Sequence, residues 1–172
     1  MRRLTDAARL RRFMQALAAA ADAPVRVYFT GGVTAILHGW RPSTVDVDLK
    51  LVPESDAIFH ALPAIKESCE INVEFAAPSD FIPELPGWEA RSPFIEQIGR
   101  VAFHHYDLYS QALAKIERGH AQDAIDVEAM LRHGAIERAR LLRLFEAIEA
   151  DLRRYPAIDP GSFRRAVEAV AS

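Results

Sequence analysis

The segment Val45-Asp46-Val47-Asp48-Leu49-Lys50-Leu51 alternates strictly between apolar and charged residues. A period of two over this length is that of a β-strand with one covered face and one open face. The alternation puts Asp46 and Asp48 on the same side, with Cα atoms about 6.5–7 Å apart by strand rise. Upstream, Val25 to Phe29 is a β-rich run that stops at Thr30-Gly31-Gly32. The helical apolar pattern of Val33 to Trp40 follows, and then Arg41-Pro42-Ser43-Thr44. The order is therefore strand, glycine turn, short helix, acidic strand.

Two carboxylates held on one face repel each other unless they are protonated or neutralised, and a hard cation such as Mg²⁺ relieves the repulsion through oxygen ligands. Glu70 to Phe75 alternates as well, with Asn72 and Glu74 opposite Ile71, Val73 and Phe75, so Glu74 is a candidate third carboxylate. At Gly31-Gly32 a helix opens directly after a strand, where unpaired N–H groups and the helix dipole favour phosphate. Each feature has a plainer reading, because alternating Asp is commonly the wet face of a half-covered sheet. Taken in order, they set a phosphate cradle beside a metal pair, an arrangement suited to phosphoryl transfer.

This order resembles the nucleotidyltransferase-fold superfamily, whose first motif is a Gly-Gly or Gly-Ser turn, a short helix and Asp-x-Asp on the next strand. Here it runs from Gly31-Gly32 through His38-Gly39-Trp40-Arg41-Pro42-Ser43-Thr44 to Asp46-Val47-Asp48. Downstream, Lys115-Ile116-Glu117-Arg118-Gly119-His120-Ala121-Gln122-Asp123-Ala124-Ile125-Asp126 is similar to the second signature of the bacterial AbiEii-type branch. The resemblance implies Mg²⁺ on Asp46, Asp48 and Glu74, and catalytic roles for these acids and Lys115. It also implies a nucleotide held by Thr30, Gly31, Gly32, Ser43, Lys115, Asp123 and Asp126. The implied substrates are an NTP and an RNA or protein hydroxyl acceptor, in a toxin–antitoxin or phage-defence setting with a cognate antitoxin protein. Two departures are visible: the third acid is Glu74 where Asp is commoner, and Gln122 stands where a Lys often does. They motivate an alternative, a catalytically inactive nucleotide- or protein-binding module.

The rest of the chain sets the fold expectation. A helix is expected from about Thr5, as N-cap, to Ala21, and another from Glu54 to Lys66. Four prolines between 76 and 93 indicate an ordered surface loop. A hairpin is expected at Phe94 to Ile98 and Val101 to Tyr106 through Gly99-Arg100. Helices follow at Asp107 to Arg118, Ala121 to His133, Ala135 to Arg154 and after Asp159-Pro160-Gly161. Early strands and late helices predict an α+β (mixed α/β) fold, with a small mixed sheet flanked by helices and a helical C-terminal part. At 172 residues one domain is expected, with a nucleotidyltransferase-like core at about 24–118 and the helical part at about 119–172.

Composition closes off several classes. A net charge of -3 gives no bulk basic field for wrapping duplex nucleic acid, and the arginine-rich helices read first as solvated faces. The single cysteine, Cys69, supports neither a disulfide framework nor a Cys-rich zinc site and fits a reducing cytoplasm. Arg2 and Arg3 followed by Phe13 to Ala21 superficially resemble a signal peptide, but the amphipathic helix from about Thr5 to Ala21 explains them better, and no apolar stretch is long enough for a membrane span. The histidines show no zinc spacing, and neither a Walker A sequence nor a Gly-x-Ser-x-Gly elbow is present. There are three lysines against eighteen arginines, so Lys115 suggests a point-charge role, beside the plainer one of a cation at a helix C-terminus.

Overall fold

The structure, a computed structural model, describes residues 3–172. It divides into two compact units: the residues up to Ala77 with Pro93–His105, and Pro78–Ser92 with Tyr106–Ser172.

The first unit holds a five-stranded mixed sheet in the order β3-β2-β1-β5-β4. Its strands are β1 (Val25–Thr30), β2 (Asp46–Val52), β3 (Asn72–Phe75), β4 (Phe94–Ile98) and β5 (Val101–His105). The β1/β2 and β4/β5 pairs are antiparallel, whereas β1/β5 and β2/β3 are parallel. The covered face follows from the alternation. Val25, Val27 and Phe29 join Val47, Leu49 and Leu51 in one core with Leu10, Phe13, Met14 and Leu17 of α1 (Ala7–Ala20). Ile58, Leu62 and Ile65 of α3 (Asp56–Cys69) complete that core. Each fully buried side chain of this size contributes about 1.5–3 kcal/mol of burial, enough to hold both helices on the sheet.

Local chemistry sets the helix ends. α1 is capped by the Asp6 carboxylate, which accepts from the Arg9 N–H at 2.9 Å. Thr5 is not the cap, because its backbone forms a bridge to Thr44 with both hydrogen bonds made, 2.7 and 2.9 Å. Ser55 caps α3, which runs on through Pro63 to Cys69 and stops where Glu70 takes a left-handed conformation.

The second unit is helical: α4 (Trp88–Arg91), α5 (Leu108–Arg118), α6 (Ala121–Arg132), α7 (Arg138–Glu149) and α8 (Pro160–Ala171). The proline-rich stretch is not a surface loop. A 3₁₀ turn at Pro78–Asp80 and α4 break it up, and Ile82, Leu85 and Trp88 are buried. Trp88 stacks flat on Tyr106, with ring centroids 4.3 Å apart. Buried Asp107 accepts from Arg91 and from the Ser110 hydroxyl, both at 2.8 Å, and so pins this segment to the start of α5. No helix among the described residues is long and apolar enough to cross a membrane.

Candidate active site

The face of the sheet opposite the core carries the chemistry; it is open at β2 and β3, whereas Tyr28 on the same face of β1 is buried. Thr30 pairs with Asp48 across β1/β2, and Asp46 and Asp48 pair with Asn72 and Glu74 across β2/β3. In-register partners point the same way, so Thr30, Asp46, Asp48, Asn72 and Glu74 share the face opposite the core. Asn72 donates to Asp46 Oδ1 at 2.5 Å, fixing that carboxylate against the edge strand.

The glycine turn lies against this acid pair. Gly31 has φ +63°, a conformation open to glycine at little cost, and a Cβ built on it would stand 3.0 Å from Asp48 Oδ2. The backbone of the turn thus comes as close to the Asp48 carboxylate as a missing side chain permits. Gly32 opens α2 (Gly32–Leu37), and a Cβ there would overlap the Thr44 hydroxyl. Thr44 Oγ1 donates to the Asp46 carbonyl at 3.2 Å. One side chain therefore packs on the glycine turn and holds the start of the acidic strand. Ser43, in the same loop, is half-buried and makes no hydrogen bond among the described residues.

A ring ladder fixes the far end of α2. His38 lies between Trp40 and His105, with centroids 4.4 and 4.6 Å away. The Thr34 hydroxyl and His105 Nδ1 are 3.1 Å apart. Burial, followed by the charges of His38 and His104, lowers the His105 pKa to about 4, so the ring is neutral near pH 7. Spacing and residue type do not single out Thr44 or this ladder: Thr34, His38, Trp40 and Thr44 lie between Gly32 and Asp46, whereas His105 comes from β5.

Among the described residues, no group of three or more His, Cys, Asp and Glu side chains is gathered closely enough to hold a metal ion. Asp46 and Asp48 share one face, and Glu74 stands beside Asp48 in register but is exposed. The donor set on β2 is one or two carboxylates, which suits Mg²⁺, an ion that keeps waters and takes further ligands from substrate phosphates.

The second signature folds into its own network within the helical unit. Lys115 Nζ lies 2.8 Å from Asp126 and 3.4 Å from Asp123, and all three residues are buried. Arg118 grips Asp123 through two hydrogen bonds, at 2.7 and 2.5 Å, and Gln122 donates to Asp126 at 3.1 Å. Burial works to raise the Asp123 carboxyl, but the Arg118 hydrogen bonds and the Lys115 charge outweigh it and hold it below the usual range. The structure brings Lys115, Asp123 and Asp126 together, each charge answered by a neighbour.

A family model described as a nucleotidyltransferase of unknown function, DUF6036, matches residues 7–159. The chain belongs to the DUF6036 nucleotidyltransferase family. The match to DUF6036 spans both motifs and the whole sheet. No curated protein and no solved structure matches the chain.

Proposed function

We propose that the chain transfers a nucleoside monophosphate from an NTP to a hydroxyl acceptor, with the donor bound at the glycine turn and the acids of β2. The observation that carries this reading is the approach of the Asp48 carboxylate to Gly31. Phosphate binds where backbone N–H groups open a helix, and a carboxylate beside that point makes sense when a cation joins the two.

In the reaction, the acceptor oxygen bonds to the α-phosphorus and the bond from that phosphorus to the bridging β-phosphate oxygen breaks. Pyrophosphate leaves, and the hydroxyl proton passes to a carboxylate or to water. Gly31 and Gly32, with Thr30 and Ser43 flanking them, cradle the phosphates. Asp46 and Asp48 are the residues that would hold Mg²⁺, with Glu74 beside Asp48 on the next strand. When bound, the ion supplies charge neutralisation on the phosphates and lowers the acceptor's pKa. Thr44 and Asn72 both hold Asp46, one through its carbonyl and the other through its carboxylate. Lys115 stays with Asp123 and Asp126 and stiffens the α5–α6 pair.

Incubation with α-labelled NTPs, Mg²⁺ and total RNA or protein extract tests the reading. Label should move to one acceptor class and be lost in Asp46→Ala; transfer that survives Asp46→Ala contradicts it. A second reading, a binding module without catalysis, is favoured by Gln122, whose amide donates to Asp126 at the position where the resemblance implies a lysine. That reading leads to nucleotide binding with no transfer.

A further inference from the structure

The hairpin of β4 and β5 turns at Gly99-Arg100 and sets Phe94 opposite His104. His104 is in register with Tyr28 of β1, and Tyr28 with Lys50 of β2. These four residues form one row across the sheet, on the face that carries the acids. Three of them are flat rings in contact: His104 stacks on Tyr28 with centroids 5.1 Å apart, and Phe94 meets His104 edge-on at 5.5 Å. Tyr28 is buried and His104 half-buried, but Phe94 is 62% exposed, the highest value of any large apolar side chain among the described residues. A phenyl ring left in water forgoes the gain that burial brings, and a ligand with a flat apolar face would recover it.

The place of the row says which ligand. Thr30 and Asp48 are in register two residues along from Tyr28 and Lys50, and Glu74 extends that line onto β3. An acidic line and an aromatic row therefore run side by side across one face, about 6.5–7 Å apart by strand rise. His104 stands two strands from β2, about 10 Å in the hydrogen-bonding direction. A phosphate and a cation at Asp48, with a flat ring over His104 and Phe94, match the length of one nucleotide. Burial is the largest influence on His104; with the Arg26 charge it outweighs a hydrogen bond at the Ala102 backbone and lowers the pKa of the ring, which leaves the imidazole neutral near pH 7. The exposed end of the row thus offers uncharged ring faces, suited to recognition of a base by its face rather than by its edge.

We infer that Phe94 and His104 hold the base of the donor nucleotide by stacking, and that the donor is thereby selected as a purine over a pyrimidine. The inference rests on the donor reading above and adds to it what lies beyond the phosphates. Stacking tolerates every base because each has a π-face, and the preferences it does give follow stacking strength. The two-ring purines overlap the row more fully than the one-ring pyrimidines. ATP and GTP should therefore bind alike, and both more tightly than CTP or UTP.

The test uses the full chain with Mg²⁺ and each of ATP, GTP, CTP and UTP, and inorganic tripolyphosphate as a probe that carries the phosphates without a base. Affinities are measured by calorimetry for the parent, Phe94→Ala, Phe94→Trp and His104→Ala. Beside them, a fluorescent adenine-analogue triphosphate reports stacking, because its emission falls when the base lies on an aromatic ring. Phe94→Ala should weaken ATP and GTP between about fivefold and a hundredfold and leave tripolyphosphate as in the parent. His104→Ala should act in the same direction, and Phe94→Trp should keep or tighten the purines. The analogue's emission should fall in the parent and stay high in Phe94→Ala. Equal ATP affinity in the parent and Phe94→Ala, pyrimidines bound as tightly as purines, or an equal fall in emission in the two chains overturns the inference. Tripolyphosphate weakened as much as ATP in Phe94→Ala assigns the effect to the hairpin's fold and overturns it too. A parent chain that binds neither tripolyphosphate nor any NTP fails the donor reading and takes the inference with it, whereas tripolyphosphate binding with no contribution from the base overturns the inference alone.

Discussion

The hydroxyl of Thr44 occupies the space where a side chain at position 32 would go, so Gly32 is required by its neighbour as much as by its own backbone. Thr44 in turn shares two backbone hydrogen bonds with Thr5 and donates to the Asp46 carbonyl. The glycine turn, the segment before α1 and the acidic strand meet at this one residue. Gly32→Ala should therefore push Thr44 aside, lower the melting temperature and weaken Mg²⁺–NTP binding together. Pairing it with Thr44→Gly, which removes both overlapping atoms, Oγ1 and Cβ, should recover part of the melting temperature, a non-additivity that a double-mutant cycle measures.

Gly31→Ala acts differently. Gly31 has φ +63° and ψ −134°, outside the left-handed helical region, so an alanine there costs on the order of 1–3 kcal/mol of backbone strain, and its Cβ would stand 3.0 Å from Asp48 Oδ2. Denaturant unfolding should show a loss of that order. Loss of Mg²⁺–NTP binding should exceed what the remaining folded fraction explains.

His105 gives the first unit a pH dependence. Burial, then the charges of His38 and His104, lower its pKa to about 4. Between that value and an unfolded value of about 6.5 the unfolded chain binds a proton that the folded chain does not. Stability is thus full above about pH 6.5, falls as the pH drops and levels off near 4, by up to about 3 kcal/mol in total. Urea unfolding across this range should show that slope, and His105→Gln should flatten it. Because His105 meets Thr34 and His38 of the α2 region, nucleotide binding should weaken over the same window.

Lys115→Met leaves Asp123 and Asp126 buried without their shared cation. Breaking a buried pair from one side costs about 3–5 kcal/mol. The expected result is a large drop in melting temperature, partly restored when Asp126→Asn removes the uncompensated charge. A Lys115→Met chain as stable as its parent would show that the network does not hold α5 to α6.

Much of this was legible in the residues. Period-two alternation located β2 and β3 and put Asp46, Asp48 and Glu74 on the open face, because strand geometry leaves no other option. The hairpin at Gly99-Arg100 and the helices after Asp107 followed from turn and cap chemistry. What stayed hidden depends on long-range contacts. Thr5 reads as a helix cap until Thr44 takes its backbone into a bridge, and then Asp6 caps instead. The stretch from 78 to 92 reads as a surface loop until Trp88 stacks on Tyr106 and Arg91 reaches Asp107.

The most direct measurement is the thermal shift of the full chain with Mg²⁺ alone, an NTP alone, and both, for the parent and for Asp46→Asn/Asp48→Asn. Two same-face carboxylates repel when no cation is bound, so the double variant should fold as well as its parent or better. The account expects stabilisation of the parent that needs Mg²⁺ and nucleotide together, and none in the variant. An equal shift in the variant, or a nucleotide shift indifferent to Mg²⁺, would contradict it.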